Sequence, residues 1–148
     1  MGFSVATEPF SNANFDTLPV GGSAVAGSLT PGILRFLRRA LTRSRRVAST
    51  CTGAFVLAEA GLLDGRRATT HWYRARDLQA RFPRVKVEED RIFIVDGPVW
   101  TSAGMTAGID LALSRIEKDL GTDVARAVAR KLVVYHRRAG GQSQFRRC

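Results

Sequence analysis

The sequence RVASTCTGAFVLAEAG occupies residues 46–61 and decides the fold. Its first five residues are β-prone with Val47 at their centre, and Cys51-Thr52-Gly53 leads from them into a run of apolar residues. Because this run is apolar on nearly every side and is followed by Gly61, it predicts a buried helix that the glycine closes. A strand followed at once by a buried helix is typical of an α/β protein with a mainly parallel sheet.

The rest of the chain continues this alternation of strands and helices. Thr30 and Pro31 have the residue types of a helix N-cap and a first helical position, and apolar residues follow at helical spacing, which predicts a helix over 31–43. We further predict strands over 3–6, 15–20, 85–87, 92–95 and 99–101, and helices over 70–82, 105–120 and 122–137. The expected N-cap of the 70–82 helix is Thr70, and the residues expected to face inward from the last helix are Val124, Val128, Leu132 and Tyr135.

Length and composition indicate one ordinary globular domain. The 148 residues are 45% hydrophobic and 24% charged, which excludes a largely disordered, collagen-like or disulfide-dense protein. No apolar run approaches the roughly 20 residues that span a bilayer, and the N-terminus does not have the pattern of a secretory signal. We therefore expect no membrane contact, a cytoplasmic protein, and free thiols at Cys51 and Cys148.

The net charge of +10 arises from 23 Lys and Arg residues against 13 Asp and Glu residues. Two interpretations are open: solvated helix faces with a basic tail, or a surface that binds a polyanion. The basic residues concentrate in two groups, which are Arg35, Arg38, Arg39, Arg43, Arg45 and Arg46, and then Arg137, Arg138, Arg146 and Arg147.

Cys51 is the strongest candidate for a functional residue. It lies where a strand ends and a buried helix begins, with Thr52 and Gly53 beside it, which is the layout of a nucleophile elbow. A helix N-terminus favours the thiolate form of a cysteine, and this edge of a parallel sheet is where ligands bind. The alternative is a small buried core thiol. We interpret Cys51, Thr52 and Gly53 as part of a site.

Two further features are candidates for the same site. Gly21 and Gly22 follow an apolar strand and could expose backbone N–H groups that hold a negative oxygen near Cys51. His71 either pairs with Cys51 as a base or caps the helix that follows, and the sequence leaves both roles open.

Other polar residues favour structural roles. His136 is interpreted as a surface residue, Asp96 as a turn residue and Asp110 as a helix-surface residue, although both aspartates are candidate acids. Two cysteines and two histidines without zinc-like spacing predict no metal site.

Three stretches carry a resemblance to a known family. Residues 49–72, 99–110 and 140–145 resemble the glutamine-amidotransferase-like (DJ-1/PfpI) domain that forms the N-terminal half of many AraC-family transcriptional regulators. The resemblance implies a flavodoxin-like three-layer α/β sandwich with a mainly parallel sheet. It also implies that Cys51 is the elbow residue and that the Gly21-Gly22 loop lies opposite it.

The resemblance also implies a domain organisation. Residues 1–139 correspond to the DJ-1/PfpI-like domain without its opening strands and without the opening acidic residue that faces the elbow cysteine in catalytic relatives. Residues 140–148 are expected to be a linker remnant towards a helix-turn-helix domain that is absent from this chain.

Two functional classes follow from the resemblance. The first is a ligand-sensing or oligomerisation domain of an AraC-type regulator, in which the site around Cys51 and His71 binds a small-molecule effector or reads oxidation. This class implies a homo-oligomer that contacts DNA only through the absent domain, and it needs no cofactor. The alternative is an isonitrile hydratase-like or other cysteine-dependent enzyme, with Cys51 attacking a carbon electrophile, and an inactive remnant is a third possibility.

Overall fold

The computed structural model describes residues 4–10, 13–22, 29–136, 138 and 140–143. The elements in these residues are β1 (Thr17–Val20), α1 (Pro31–Arg43), β2 (Arg46–Thr50), α2 (Gly53–Glu59), β3 (Arg67–Ala68), a 3₁₀ turn (Trp72–Arg74), α3 (Ala75–Arg81), β4 (Lys86–Val87), β5 (Phe93–Asp96), β6 (Val99–Ser102), α4 (Ala107–Leu120) and α5 (Thr122–Leu132). Within the described ranges, no helix is both long and apolar enough to cross a membrane.

The main sheet has the strand order β1-β2-β6-β5. The first three of these strands are parallel, with Leu18 opposite Val47 and Val47 opposite Val99, while β5 runs antiparallel to β6. The short strands β3 and β4 form a separate parallel pair. The predicted α/β fold with a mainly parallel sheet is confirmed.

Both faces of the sheet are buried, which gives the predicted three layers. Val47 and Val99 pack on one face in a cluster that includes residues of α1 and α2. Ala48 follows Val47 in β2, and Trp100 follows Val99 in β6. Both point to the other face of the sheet and pack with Leu111 of α4. This alternation follows from the two-residue period of a strand.

The residues that the sequence predicts to begin α1 and to close α2 have these roles in the structure. Thr30 Oγ1 accepts a hydrogen bond from the Ile33 N–H at 3.4 Å, and Pro31 is the first residue of α1. Gly61 follows α2 with a φ of +79°, a left-handed conformation that glycine adopts without steric cost. The capping by Thr30 and the closure by Gly61 are confirmed.

The last helix differs from its prediction. It ends at Leu132 because Val133 adopts a left-handed conformation, with a φ of +55°. Its buried residues are Ala125 and Ala129, whose small side chains allow close packing against α4. Of the residues expected to face inward, Val124, Leu132 and Tyr135 are 41%, 56% and 82% exposed. The prediction that these three residues face inward was therefore wrong, whereas the fourth, Val128, is half-buried.

Three other elements differ from their predictions. Residues 4–6 are not a strand, and residue 3 lies outside the described residues. The predicted 70–82 helix begins as a 3₁₀ turn and becomes α-helical only at Ala75, with His71 rather than Thr70 as its N-cap. The two-residue strand β3 was missed because its pairing with β4 depends on residues about 20 positions apart.

The basic residues of the first group divide into two environments. Arg35, Arg38, Arg39 and Arg43 are exposed on α1. Arg46 is 4% exposed, and it donates to both carboxylate oxygens of Asp119 at 2.8 and 2.7 Å while its guanidinium lies 5.0 Å from the Trp100 ring centre. The interpretation of Arg46 as part of a solvated surface was wrong.

Candidate functional site

Cys51 occupies a tight turn between β2 and α2. Its φ of +52° lies in the left-handed region, which a residue with a Cβ adopts only at an energetic cost. Its backbone N–H donates to the carbonyls of Ser102 and Ala103, at 3.1 and 2.7 Å, where β6 ends. The structure therefore gives Cys51 the predicted elbow conformation, with a half-buried free thiol.

The Gly21-Gly22 loop lies directly against this elbow. A Cβ built on Gly53 would stand 2.4 Å from the Val20 carbonyl oxygen, and one built on Gly22 would stand 2.2 Å from Thr52 Oγ1. Such distances are shorter than van der Waals contact, so the two loops approach each other this closely only with glycine at both positions. The structure thus brings Gly21, Gly22, Thr52 and Gly53 together beside Cys51.

Thr70 holds the elbow from the opposite side. Its side chain is fully buried, and its hydroxyl donates to the Cys51 carbonyl oxygen at 2.8 Å. The prediction that Thr70 caps a helix was wrong, because its hydroxyl bonds to Cys51 rather than to the turn that follows.

His71 follows Thr70 and caps the 3₁₀ turn. Its Nδ1 accepts a hydrogen bond from the Tyr73 N–H at 3.3 Å. The opposite edge of the ring faces Gly104, where a Cβ on the glycine would stand 3.3 Å from His71 Cδ2. In the part of the chain that the structure describes, no hydrogen bond joins the imidazole to Cys51. Of the two roles left open by the sequence, the geometry shows capping.

Gln142 completes the surroundings of this segment, and the sequence analysis missed it. Its side chain is 4% exposed, its Oε1 accepts from the Trp72 N–H at 2.8 Å, and its Nε2 lies 3.0 Å from the Thr70 carbonyl oxygen. The motif Gly140-Gly141-Gln142 was interpreted as linker, whereas Gln142 is buried and Gly141 lies against Asp90.

The sequence matches the DJ-1/PfpI family over residues 5–118, which is most of the chain. The chain belongs to the DJ-1/PfpI family. The match includes the elbow, the glycine loop and the Thr70-His71 segment.

Curated relatives of this DJ-1/PfpI domain include a regulator and an enzyme. The HTH-type transcriptional regulator CdhR of Pseudomonas aeruginosa is 38% identical over 129 residues, which cover 87% of the chain and 38% of CdhR. The isonitrile hydratase of Pseudomonas putida is 41% identical over 119 residues, covering 79% of the chain and 51% of the enzyme. The chain therefore spans about half or less of the length of these relatives.

Solved structures agree with the DJ-1/PfpI fold. A DJ-1 superfamily protein of Salmonella typhimurium has a TM-score of 0.69 at 25% identity, with coverage of 84% of this chain and 67% of that one. An AraC family transcriptional regulator of Pseudomonas putida has a TM-score of 0.68 at 23% identity, covering 79% and 63% of the two chains. The second likeness shows the fold alone.

The remaining candidate acids of the DJ-1/PfpI domain lie away from the elbow. Asp96 is the last residue of β5, immediately before the turn in which it was predicted, and its carboxylate accepts from the Arg67 N–H at 2.8 Å. Asp110 is 8% exposed and accepts two hydrogen bonds from Arg138 Nε at 2.9 and 3.1 Å, so its interpretation as a surface residue was wrong. These bonds raise the pKa of the Arg138 guanidinium above its ordinary value. Arg137, Arg146 and Arg147 of the second basic group lie outside the described residues.

A cavity of about 440 Å³ lies between β5, α4 and the segment after α5. Asp110, His136 and Arg138 line it, together with Ser114 and Glu117, and none of the elbow residues does. The His136 side chain is 19% exposed, with its Nε2 3.7 Å from Glu117 Oε2, so the surface interpretation of His136 was wrong. In the described ranges, no group of three acidic, histidine or cysteine side chains is arranged to hold a metal ion.

Proposed function

We propose that this DJ-1/PfpI domain is the ligand-sensing or oligomerisation domain of an AraC-type transcriptional regulator, with its effector site at the Cys51 elbow. The observation that carries the proposal is the similarity to CdhR, because it extends over 87% of the chain, against 79% for the isonitrile hydratase. CdhR is an HTH-type transcriptional regulator, and the chain corresponds to 38% of it. Under this proposal, the contact with DNA belongs to a part of the regulator outside the present chain.

The elbow geometry supports ligand binding at this place. The parallel strands β1, β2 and β6 end at the same edge of the sheet, and the residues that follow them are Gly21, Cys51 and Ala103. In open α/β sheets, ligands bind outside the carboxyl ends of the strands. An effector there would contact the Cys51 thiol and the exposed glycine loop, with His71 at the rim.

The same geometry favours sensing over catalysis. A nucleophilic cysteine needs a neighbouring group that handles its proton. His71 is the nearest candidate in sequence, and its Nδ1 is already the acceptor for the Tyr73 N–H. The second candidate function is hydration of an isonitrile carbon, and the similarity to the isonitrile hydratase supports it.

Three further parts of the proposal concern the setting of the domain. We place it in the cytoplasm, where a transcriptional regulator operates, and we expect it to act as a homo-oligomer. No cofactor is invoked, because effector binding at the elbow needs only the side chains and backbone groups already described.

The proposal is tested on a Cys148→Ser background, in which Cys51 is the single thiol. Reaction of Cys51 with 4,4′-dithiodipyridine is followed while small metabolites are screened for an increase in melting temperature. An effector of the elbow site is expected both to raise the melting temperature and to slow the thiol reaction. Compounds that raise the melting temperature without any effect on the Cys51 rate would place the effector site elsewhere.

The second candidate is tested with an alkyl isonitrile. Under the regulator proposal, the Cys148→Ser chain gives no formamide above the uncatalysed rate. Formamide production that disappears in Cys51→Ser, and persists in the Cys148→Ser control, would show that the chain is an enzyme instead.

A further inference from the structure

We propose that Gln142 is a positioning residue of the Cys51 site, through which the chain segment after α5 is coupled to the elbow. This inference rests on the proposed function only for the biological role of the elbow site. Its content is a physical coupling between two parts of the chain, and that coupling can be measured without any effector.

The Gln142 side-chain amide is held on both of its ends. Its Oε1 accepts the Trp72 N–H at 2.8 Å, while its Nε2 faces the carbonyl oxygens of Thr70, Glu89 and Arg91 at 3.0, 3.0 and 2.9 Å. Nε2 also lies 3.3 Å from Thr69 Oγ1. One end therefore meets a donor and the other meets only acceptors, which fixes the orientation of the amide. Since the side chain is 4% exposed, water cannot readily replace these bonds.

The backbone around Gln142 is fixed as well. Its N–H donates to the Asp90 carbonyl oxygen at 3.0 Å, and the Ser143 N–H donates to Asp90 Oδ1 at 2.6 Å. A Cβ on Gly141 would stand 2.3 Å from the Asp90 carbonyl oxygen, so the close approach requires glycine. A displacement of this segment would therefore move the Gln142 side chain with it.

Thr70 is bonded to both Gln142 and the elbow. Its carbonyl oxygen accepts from Gln142 Nε2, and its hydroxyl donates to the Cys51 carbonyl oxygen at 2.8 Å. The neighbouring Thr69 is also fully buried, and its N–H is bonded to Thr101 Oγ1 at 2.9 Å. Because Thr70 is fully buried and is bonded at both its carbonyl oxygen and its hydroxyl, we expect a shift of the carbonyl to be transmitted to the hydroxyl bond.

The coupling acts in both directions. If the placement of Gln142 alters the Cys51 site, then a change at Cys51 alters the hold on Gln142 by the same free energy. In a sensing domain, a change at the Cys51 elbow would therefore alter how firmly the segment after α5 is held. The route consists of two hydrogen bonds and one buried residue.

The experiment measures the rate at which Cys51 reacts with 4,4′-dithiodipyridine in the Cys148→Ser chain. Gln142→Ala is expected to raise this rate about fivefold, since a buried hydrogen bond of about 1 kcal/mol corresponds to that factor. The control is Gln79→Ala, at an exposed position. The Gln79 amide bonds the backbone in the same two-ended way, from Nε2 to the Val85 carbonyl oxygen and from Oε1 to the Val87 N–H, at a place with no bond to the elbow.

Equal rates in the Gln142→Ala variant and the Gln79→Ala variant would overturn the inference. A second test is the double variant with Thr70→Val, which removes the hydroxyl bond to Cys51. If the coupling passes through Thr70, the double variant reacts about as fast as the faster single variant. A rate equal to the product of the two single effects would contradict the proposed route.

Gln142→Glu separates positioning from a general loss of stability. At neutral pH its carboxylate would face three carbonyl oxygens without a proton to donate, and on acidification the protonated carboxyl can donate one bond again. The Cys51 rate of this variant, divided by that of the parent at each pH, is expected to fall towards one between pH 8 and pH 5. A ratio independent of pH would overturn the inference. Failure of the effector screen would leave these rates unaffected, so the two proposals fail separately.

Discussion

Gly22 lies against Thr52, so close that a Cβ on the glycine would stand 2.2 Å from the threonine Oγ1 and 2.9 Å from its backbone nitrogen. A Cβ on Gly53 would meet the Val20 carbonyl oxygen at 2.4 Å. The loop after β1 and the elbow after β2 are therefore packed backbone to backbone. This contact holds two strand ends in register at the edge where the proposed site lies.

We expect Gly53→Ala to lower the free energy of unfolding by about 2 kcal/mol. The new methyl group meets a backbone oxygen, which cannot move away by a change of side-chain rotamer. Gly21→Ala is the matched control, since no described atom lies within 4 Å of its Cβ position, and its effect should stay within about 0.5 kcal/mol. Urea unfolding measures both. Equal stabilities of the two variants would show that the packing of these loops is looser than described.

The parts of the fold that the sequence predicted well depend on short-range patterns. The segment from β2 through α2 has a β-prone run, a Cys-Thr-Gly turn and a closing glycine within 16 residues. Its structure therefore depends on residues that are close together in the sequence. The same holds for the Thr30 cap of α1. In contrast, the end of α5 depends on a left-handed conformation at Val133, which its residue type does not favour.

The site was predictable only in part for a related reason. Cys51, Gly21 and Gly22 were predicted as site residues because the residue types of a turn can be recognised in the sequence. The Thr70 hydroxyl reaches a carbonyl 19 residues away, and the Gln142 amide reaches one 72 residues away, so neither partner has a local signature. The Gly-Gly pair before Gln142 was interpreted as linker, whereas a glycine is required at position 141 because its backbone approaches Asp90 closely.

The left-handed conformation of Cys51 predicts an inverted preference between alanine and glycine. Alanine normally stabilises a position by about 0.5–1 kcal/mol relative to glycine, but a Cβ at a φ of +52° costs about 1–2 kcal/mol. We therefore expect Cys51→Gly to be more stable than Cys51→Ala by about 1 kcal/mol in thermal or urea unfolding. At Thr52, where φ is −70°, the alanine variant should be the more stable one. The same order at both positions would contradict the elbow geometry.

The capping role of His71 is separable from a role as a base. His71→Ala removes the acceptor for the Tyr73 N–H and should cost about 1 kcal/mol of unfolding free energy, whereas His71→Asn supplies a new side-chain acceptor and should recover most of it. Asparagine cannot accept a proton from a thiol at neutral pH. The Cys51 reaction rate should thus be unchanged in His71→Asn, and a large decrease would revive the base role.

The pairing of Asp119 with Arg46 predicts a particular loss of stability in acid. The hydrogen bonds from Arg46 lower the pKa of Asp119 below its ordinary value of 3.8. A carboxyl whose folded pKa is lowered stabilises the fold at every pH above its unfolded pKa, and this contribution disappears as the pH falls through the folded value. Stability attributable to the pair should therefore be constant from neutral pH to about 4 and should decrease below it.

Asp119→Asn tests this expectation, because the amide cannot titrate. The variant should be less stable than the parent at pH 7, and the difference should shrink as urea midpoints are compared from pH 5 down to pH 2.5. Asp123→Asn is the control, since Asp123 is exposed at the start of α5 and makes no ion pair with the described residues. Its difference from the parent should vary less over this range. A difference at Asp119 that stays constant down to pH 2.5 would mean that the Arg46 pair does not respond to protonation in this way.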